Sequence, residues 1–135
     1  MEQSVKPLQL DVEKILADKN PKIHRVLPGF VIRYLKRIAH QDGINDILRN
    51  FANLRGAAFN DAALGYMGIT YRAHGVENLP KGGRNIFVSN HPLGGPDGMV
   101  FMSELTKHFP AIKFPVNDIL LYIENYSDIF LPVNK

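Results

Sequence analysis

Two side chains in this chain have the types and spacing to do chemistry together: His91 and Asp97. They lie in the run Arg-Asn-Ile-Phe-Val-Ser-Asn-His-Pro-Leu-Gly-Gly-Pro-Asp-Gly at 84–98. On an extended chain they would stand up to about 20 Å apart, so only a sharp reversal can bring them within hydrogen-bond reach. Gly94 and Gly95 permit one, because glycine takes positive φ without steric cost. If Asp97 then accepts the Nδ1 proton of His91, the tautomer is fixed and Nε2 is left as a base. No serine, threonine or cysteine of the loop is placed as a nucleophile. The chemistry open to the pair is therefore removal of a proton from a substrate hydroxyl, a step worth roughly 10² to 10⁴ in rate. Asp97 has a second reading, as the N-cap of a helix over 98–109, and an N-cap aspartate needs no histidine beside it.

The elements around the pair follow from local pattern. Ile86, Phe87 and Val88 make a short apolar run that predicts a strand over 85–90, ending where the Gly/Pro loop begins. A histidine at the carboxyl end of a strand, followed by a loop and a helix, is the layout that points side chains into the crevice of an α/β domain. Further strands are expected at 69–74, 111–114 and 129–133, with helices at 98–109 and 118–124. This alternation predicts a largely parallel sheet with flanking helices. Ile129, Phe130 and Leu131 are apolar on both sides, which predicts a buried strand.

Upstream, the periodicity predicts helices at 11–18, capped by Asp11, and at 30–40, 44–54 and 57–66, with Gly43 separating the middle pair. In the segment 30–40, Val31, Tyr34, Leu35 and Ile38 form one stripe, and Arg33, Lys36, Arg37 and His40 the other. Such a helix suits the headgroup layer of a membrane, or packs its apolar stripe on a core. The charge is uneven: residues 1–60 hold ten Lys/Arg against six Asp/Glu, and no acid lies between Asp18 and Asp42. Lys22, Arg25, Arg33, Lys36 and Arg37 fall in that interval and form the expected membrane-binding set.

The motif Val88-Ser89-Asn90-His91, a small-residue loop and Asp97, preceded by Gly75-Val76-Glu77-Asn78-Leu79-Pro80, resembles the glycerolipid (lysophosphatidic acid type) acyltransferase family. The HPLGGPDG form is similar to the bacterial branch that acylates lyso-aminolipids such as ornithine or glycine lipids, or that is labelled hemolysin-like. The resemblance implies an α/β fold at a membrane surface. It also implies transfer of an acyl group from an acyl-carrier-protein or coenzyme A thioester to a lysolipid hydroxyl, with no other cofactor. In that scheme His91 is the base and Asp97 orients it, with Asn90, Gly94, Gly95 and Lys135 on the substrate side. One departure is visible: five residues separate His91 from Asp97, where the family's usual motif has four. The family's later Pro-Glu-Gly block is missing, which suggests a first part of a family domain. Residues 1–56 are then a membrane-facing helical segment and 57–135 the start of the acyltransferase domain.

Composition narrows the alternatives. With 135 residues, 45% of them apolar, one modest core is expected. The absence of cysteine excludes disulfides and thiolate metal sites. The apolar runs are far shorter than the roughly 20 residues a membrane span needs, and acids interrupt the apolar positions of 1–16, so no signal peptide is read there. These features predict a cytoplasmic protein, peripheral on the inner face of the membrane. The remaining histidines show no paired metal spacing, and no Lys-Ser/Thr follows Gly95, so neither a metal site nor a nucleotide-phosphate loop is expected; nor is a nucleic-acid partner. The rival to an enzyme is an inactive, truncated membrane-associating module.

Overall fold

The structure, a computed structural model, describes residues 9–133. Among them lie six α-helices and a small parallel sheet: α1 Val12–Lys19, α2 Pro21–Val26, α3 Gly29–Ile38, α4 Gln41–Asn50, α5 Gly56–Tyr66, α6 Gly95–His108, β1 Phe114–Asn117 and β2 Phe130–Val133. Short 3₁₀ turns occupy Val76–Asn78, Asp118–Tyr122 and Glu124–Tyr126. The last two replace the helix expected over 118–124.

Local chemistry accounts for most boundaries. Asp11 caps α1 as expected, its carboxylate accepting from the backbone N–H groups of Glu13 and Lys14. Asn20 caps α2, and Pro21 fits its first turn, where no N–H partner is needed. The break between α3 and α4 falls at His40 rather than at Gly43, with His40 in the left-handed region at φ 49°. Gly43 lies inside α4.

The core is built where the apolar stripes of several helices converge. Leu10, Ile15, Ile47, Leu48, Phe59, Ala63, Met102 and Tyr126 form one buried cluster, flanked by half-buried Phe114, Ile123, Ile129 and Phe130. Leu48 is only 2% exposed. Buried asparagines stitch the backbone where the chain has no ladder to use. Asn45 bonds both backbone groups of Leu10, at 2.7 and 3.0 Å, and Asn125 donates to the Leu54 carbonyl at 2.7 Å. Each satisfies backbone groups whose burial unpaired would cost about 1–3 kcal/mol.

Of the four expected strands, that at 129–133 is present and that at 111–114 is displaced to Phe114–Asn117, sharing only Phe114 with the expected range. β1 and β2 run parallel in the register Phe114↔Phe130 to Asn117↔Val133. Each carries a proline, Pro115 or Pro132, and a proline cannot donate to a ladder, so both strands are suited to edges. Leu131 and Val133 are about half exposed, which corrects the expectation of a strand buried on both faces. The segments 69–74 and 85–90 are not strands here, because neither has a ladder partner among the described residues. In the second, Phe87 turns inward to meet the Phe109 ring at 4.8 Å, while Ile86 and Val88 are 93% and 88% exposed.

Candidate active-site loop and membrane face

The unpaired segment 85–90 delivers His91 to a turn closed by the Gly94 N–H donating to the His91 carbonyl at 3.1 Å. Gly94 sits at φ 75°, ψ −124°, which a side chain would resist, and α6 starts at the next residue. Pro96 fits that first turn, and Asp97 follows within it. The Asp97 Oδ2 accepts the Leu93 backbone N–H at 2.7 Å. The carboxylate thus reaches back from the first turn to the residue before the helix cap. Its charge also lies where the helix dipole favours an anion.

That bond changes the expected division of labour. Among the described residues no hydrogen bond or ion pair joins the His91 ring to Asp97, and the imidazole is exposed. The reason is the position of the reversal. With the positive φ at Gly94, the loop turns the Leu93 N–H, rather than the ring, onto the carboxylate. Asp97 therefore holds the shape of the loop that carries His91, and α6 begins at Gly95, so Asp97 is not its N-cap. Asn90 is exposed, with its carbonyl accepting from the Ser89 hydroxyl at 2.8 Å. Gly95 is exposed and Gly94 half-buried. Lys135 lies outside the described residues. A cleft of about 810 Å³ is lined in part by Lys81, Arg84, Phe87 and Phe109 and does not include His91.

The helices α2 and α3 expose Val26, Phe30, Tyr34 and Ile38, with Phe30 at 66%. Lys22, Arg25, Arg33 and Arg37 are exposed among them. The expected stripe is split: Val31 and Leu35 are half-buried, while Tyr34 and Ile38 join Phe30 on the outside. Lys36 departs from the expected membrane set. Its ammonium lies 2.8 Å from Glu13 Oε2 and 3.6 Å from Asp11 Oδ1, which turns it toward α1. The Glu13 bond holds the lysine above its ordinary pKa, and Lys36 holds the Glu13 carboxyl below its own. No helix of the described residues is long and apolar enough to cross a membrane.

A polar cluster joins α5 and the 69–74 segment to α6. The Ser103 hydroxyl donates to Asp61 at 2.6 Å, and the Tyr71 hydroxyl lies 3.0 Å from Ser103 Oγ and 3.1 Å from Glu104 Oε2. Lys107 donates to Tyr71 at 2.7 Å and to Glu104 at 2.9 Å, and His108 meets Glu104 at 3.1 Å. Lys107, then His108 and Tyr71, hold the Glu104 carboxyl below its usual range. The cluster pins the unpaired 69–74 segment onto α6. Glu104, Lys107 and His108 share the i,i+3 and i,i+4 spacing of one helix face, but Tyr71 and Asp61 stand more than 30 positions from their partners on α6, so no spacing rule could have found those bonds.

The chain belongs to the acyltransferase family, whose model matches residues 14–135. It is 41% identical over 127 residues to the lyso-glycine lipid O-acyltransferase of Bacteroides thetaiotaomicron, covering 93% of this chain and 47% of that protein. It is 39% identical over 127 residues to the lyso-glycine lipid O-acyltransferase of Phocaeicola vulgatus, covering 93% of this chain and 46% of that one. The chain thus spans about half the length of the curated relatives it matches. No solved structure matches it.

Proposed function

We propose that the protein carrying this chain moves a fatty acyl group from a thioester of acyl carrier protein or coenzyme A to the hydroxyl of a lyso-aminolipid, a lyso-glycine lipid being the favoured acceptor. The observation that carries the reading is the likeness to two lyso-glycine lipid O-acyltransferases, which extends across the whole His91–Asp97 loop. In this reaction the acceptor oxygen attacks the thioester carbonyl while His91 takes the hydroxyl proton. The C–S bond then breaks, and the imidazolium returns the proton to the departing thiolate. The exposed His91 ring suits it to meet an incoming hydroxyl. Asp97 fixes the loop through Leu93, and a long or absent His91–Asp97 bond without substrate is compatible with the role, since catalytic hydrogen bonds often tighten only with substrate bound. The exposed Phe30, Tyr34, Arg33 and Arg37 face supports docking at an anionic, cytoplasmic membrane surface, where a lysolipid acceptor resides.

The test is transfer of a labelled acyl group from acyl carrier protein or coenzyme A to lyso-glycine lipid by the protein and by its His91→Ala variant. Loss of roughly 10² to 10⁴ in kcat, with vesicle binding unchanged, is the expected result. Unimpaired turnover by His91→Ala would place the base elsewhere. Vesicle binding without any turnover by the parent protein would favour a membrane-associating module.

A further inference from the structure

The loop that carries His91 is anchored to α6, and α6 is in turn anchored from below by a buried polar pair that the acyl-transfer scheme does not use. Asn60, on α5, is 0% exposed. Its Nδ2 donates to the Met99 carbonyl at 2.9 Å, and its Oδ1 accepts from the Tyr126 hydroxyl at 3.0 Å. Met99 lies in the second turn of α6, two residues after Asp97. Tyr126 is 5% exposed, with its ring edge-on to Phe59 at 5.0 Å and stacked on Phe130, the first residue of β2, at 4.6 Å.

The geometry points to Asn60 and Tyr126 as positioning residues for the catalytic loop. They form a relay from the sheet through Tyr126, Asn60 and the Met99 carbonyl to the first turns of α6, where Asp97 holds Leu93 and hence the His91 turn. Three features carry this. A buried amide that bonds a helix carbonyl favours one rotation and one axial register of the helix, because a slip leaves the buried Asn60 NH₂ without its partner, which apolar packing alone does not penalise. The tyrosine sets the amide's orientation: its hydroxyl is the donor, so the Asn60 oxygen must face Tyr126 and its NH₂ must face Met99. Burial keeps that phenol protonated, with the Asp61 carboxylate adding to the effect. The position of the bond matters too, since a shift at Met99 is passed through a rigid helical turn to Asp97 and the loop.

The inference rests on His91 as the base for its kinetic consequence, but not for its structural one, and the experiment separates the two. Tyr126→Phe removes only the hydroxyl and keeps both ring contacts. Asn60→Asp keeps an oxygen for Tyr126 and removes the donor to Met99. Ile47→Val trims the same core cluster without touching the relay. Amide exchange of Leu93 is measured by NMR in the protein and in each variant beside the melting temperature and, with acyl thioester and lyso-glycine lipid, kcat and KM. Tyr126→Phe is expected to speed Leu93 exchange about tenfold and to lower kcat on the order of 10- to 100-fold with KM unchanged, since misplacement by about 1 Å costs that much. Asn60→Asp should do the same, and Ile47→Val should do neither beyond what its change in melting temperature explains. Leu93 exchange unchanged in Tyr126→Phe, or scaling with melting temperature in all three variants, would overturn the relay. If the parent protein turns over no acyl thioester, the acyl-transfer reading fails, and Leu93 exchange still decides the positioning role.

Discussion

Removing Arg33 and Arg37 together should weaken binding to anionic vesicles far more than removing Lys36, although all three cations lie within one helical turn and a half. Each basic residue near an anionic surface contributes about 1 kcal/mol, so Arg33→Ala with Arg37→Ala should cost about 2 kcal/mol, close to 30-fold in affinity. Lys36 is instead held in an ion pair with Glu13, with Asp11 close by. Two carboxylates already offset its charge, so removing Lys36 should cost well under the roughly 1 kcal/mol of an unpaired basic residue. Phe30, two-thirds exposed, should contribute about 1–2 kcal/mol when its ring enters the interface, two-thirds of a full burial. The assay is co-sedimentation with vesicles of anionic or neutral phospholipid at 0.15 M and 1 M salt, roughly 8 and 3 Å of Debye length. High salt should abolish the arginine effect and leave that of Phe30→Ala. A Lys36→Ala loss equal to that of the arginine pair, or equal parent binding to neutral vesicles in high salt, would refute the orientation of α3 and the role assigned to its charges.

The Glu104 cluster makes stability depend on pH in a definite direction. Its partners depress the Glu104 pKa in the folded state, so their contribution is complete above the ordinary carboxylate value of about 4.3 and is lost as pH falls through the lower folded value. Glu104→Gln should lower the melting temperature by the equivalent of less than about 1 kcal/mol near neutrality, and the gap to the parent should close in acid; a gap that widens in acid would contradict the assignment. Leu48→Ala should cost about 2–5 kcal/mol, because Leu48 is almost fully buried and belongs to the core cluster. Denaturant unfolding giving a loss below 1 kcal/mol would show that α4 is not packed on that cluster.

The helices were legible because their information is local. The 3.6-residue spacing of Ile44, Ile47, Leu48 and Phe51, and the Asp11 cap, lie within one or two turns, and α1, α4 and α5 fall close to where those patterns put them. The two motif blocks of the family could be read from residue type and order alone, and the acyltransferase family follows from them. What needed the tertiary structure was everything that depends on a distant partner. Alternation at 69–74 and 85–90 specifies residues that suit a strand, but a strand exists only when another backbone takes its N–H and C=O groups, and no local pattern supplies one. The stripe on α3 could be seen, but not that Lys36 faces inward to Glu13, 23 residues away. Nor could the sequence say that Asp97 holds the Leu93 N–H, since the bond depends on how the whole loop from His91 to Gly95 folds. Asn60, Tyr126 and Met99 carry no motif at all: their separations of 39 and 66 residues become hydrogen bonds of 2.9 and 3.0 Å only once α5, α6 and the turn before β2 share a core. Burial then makes those bonds specific, because there water cannot replace a lost partner.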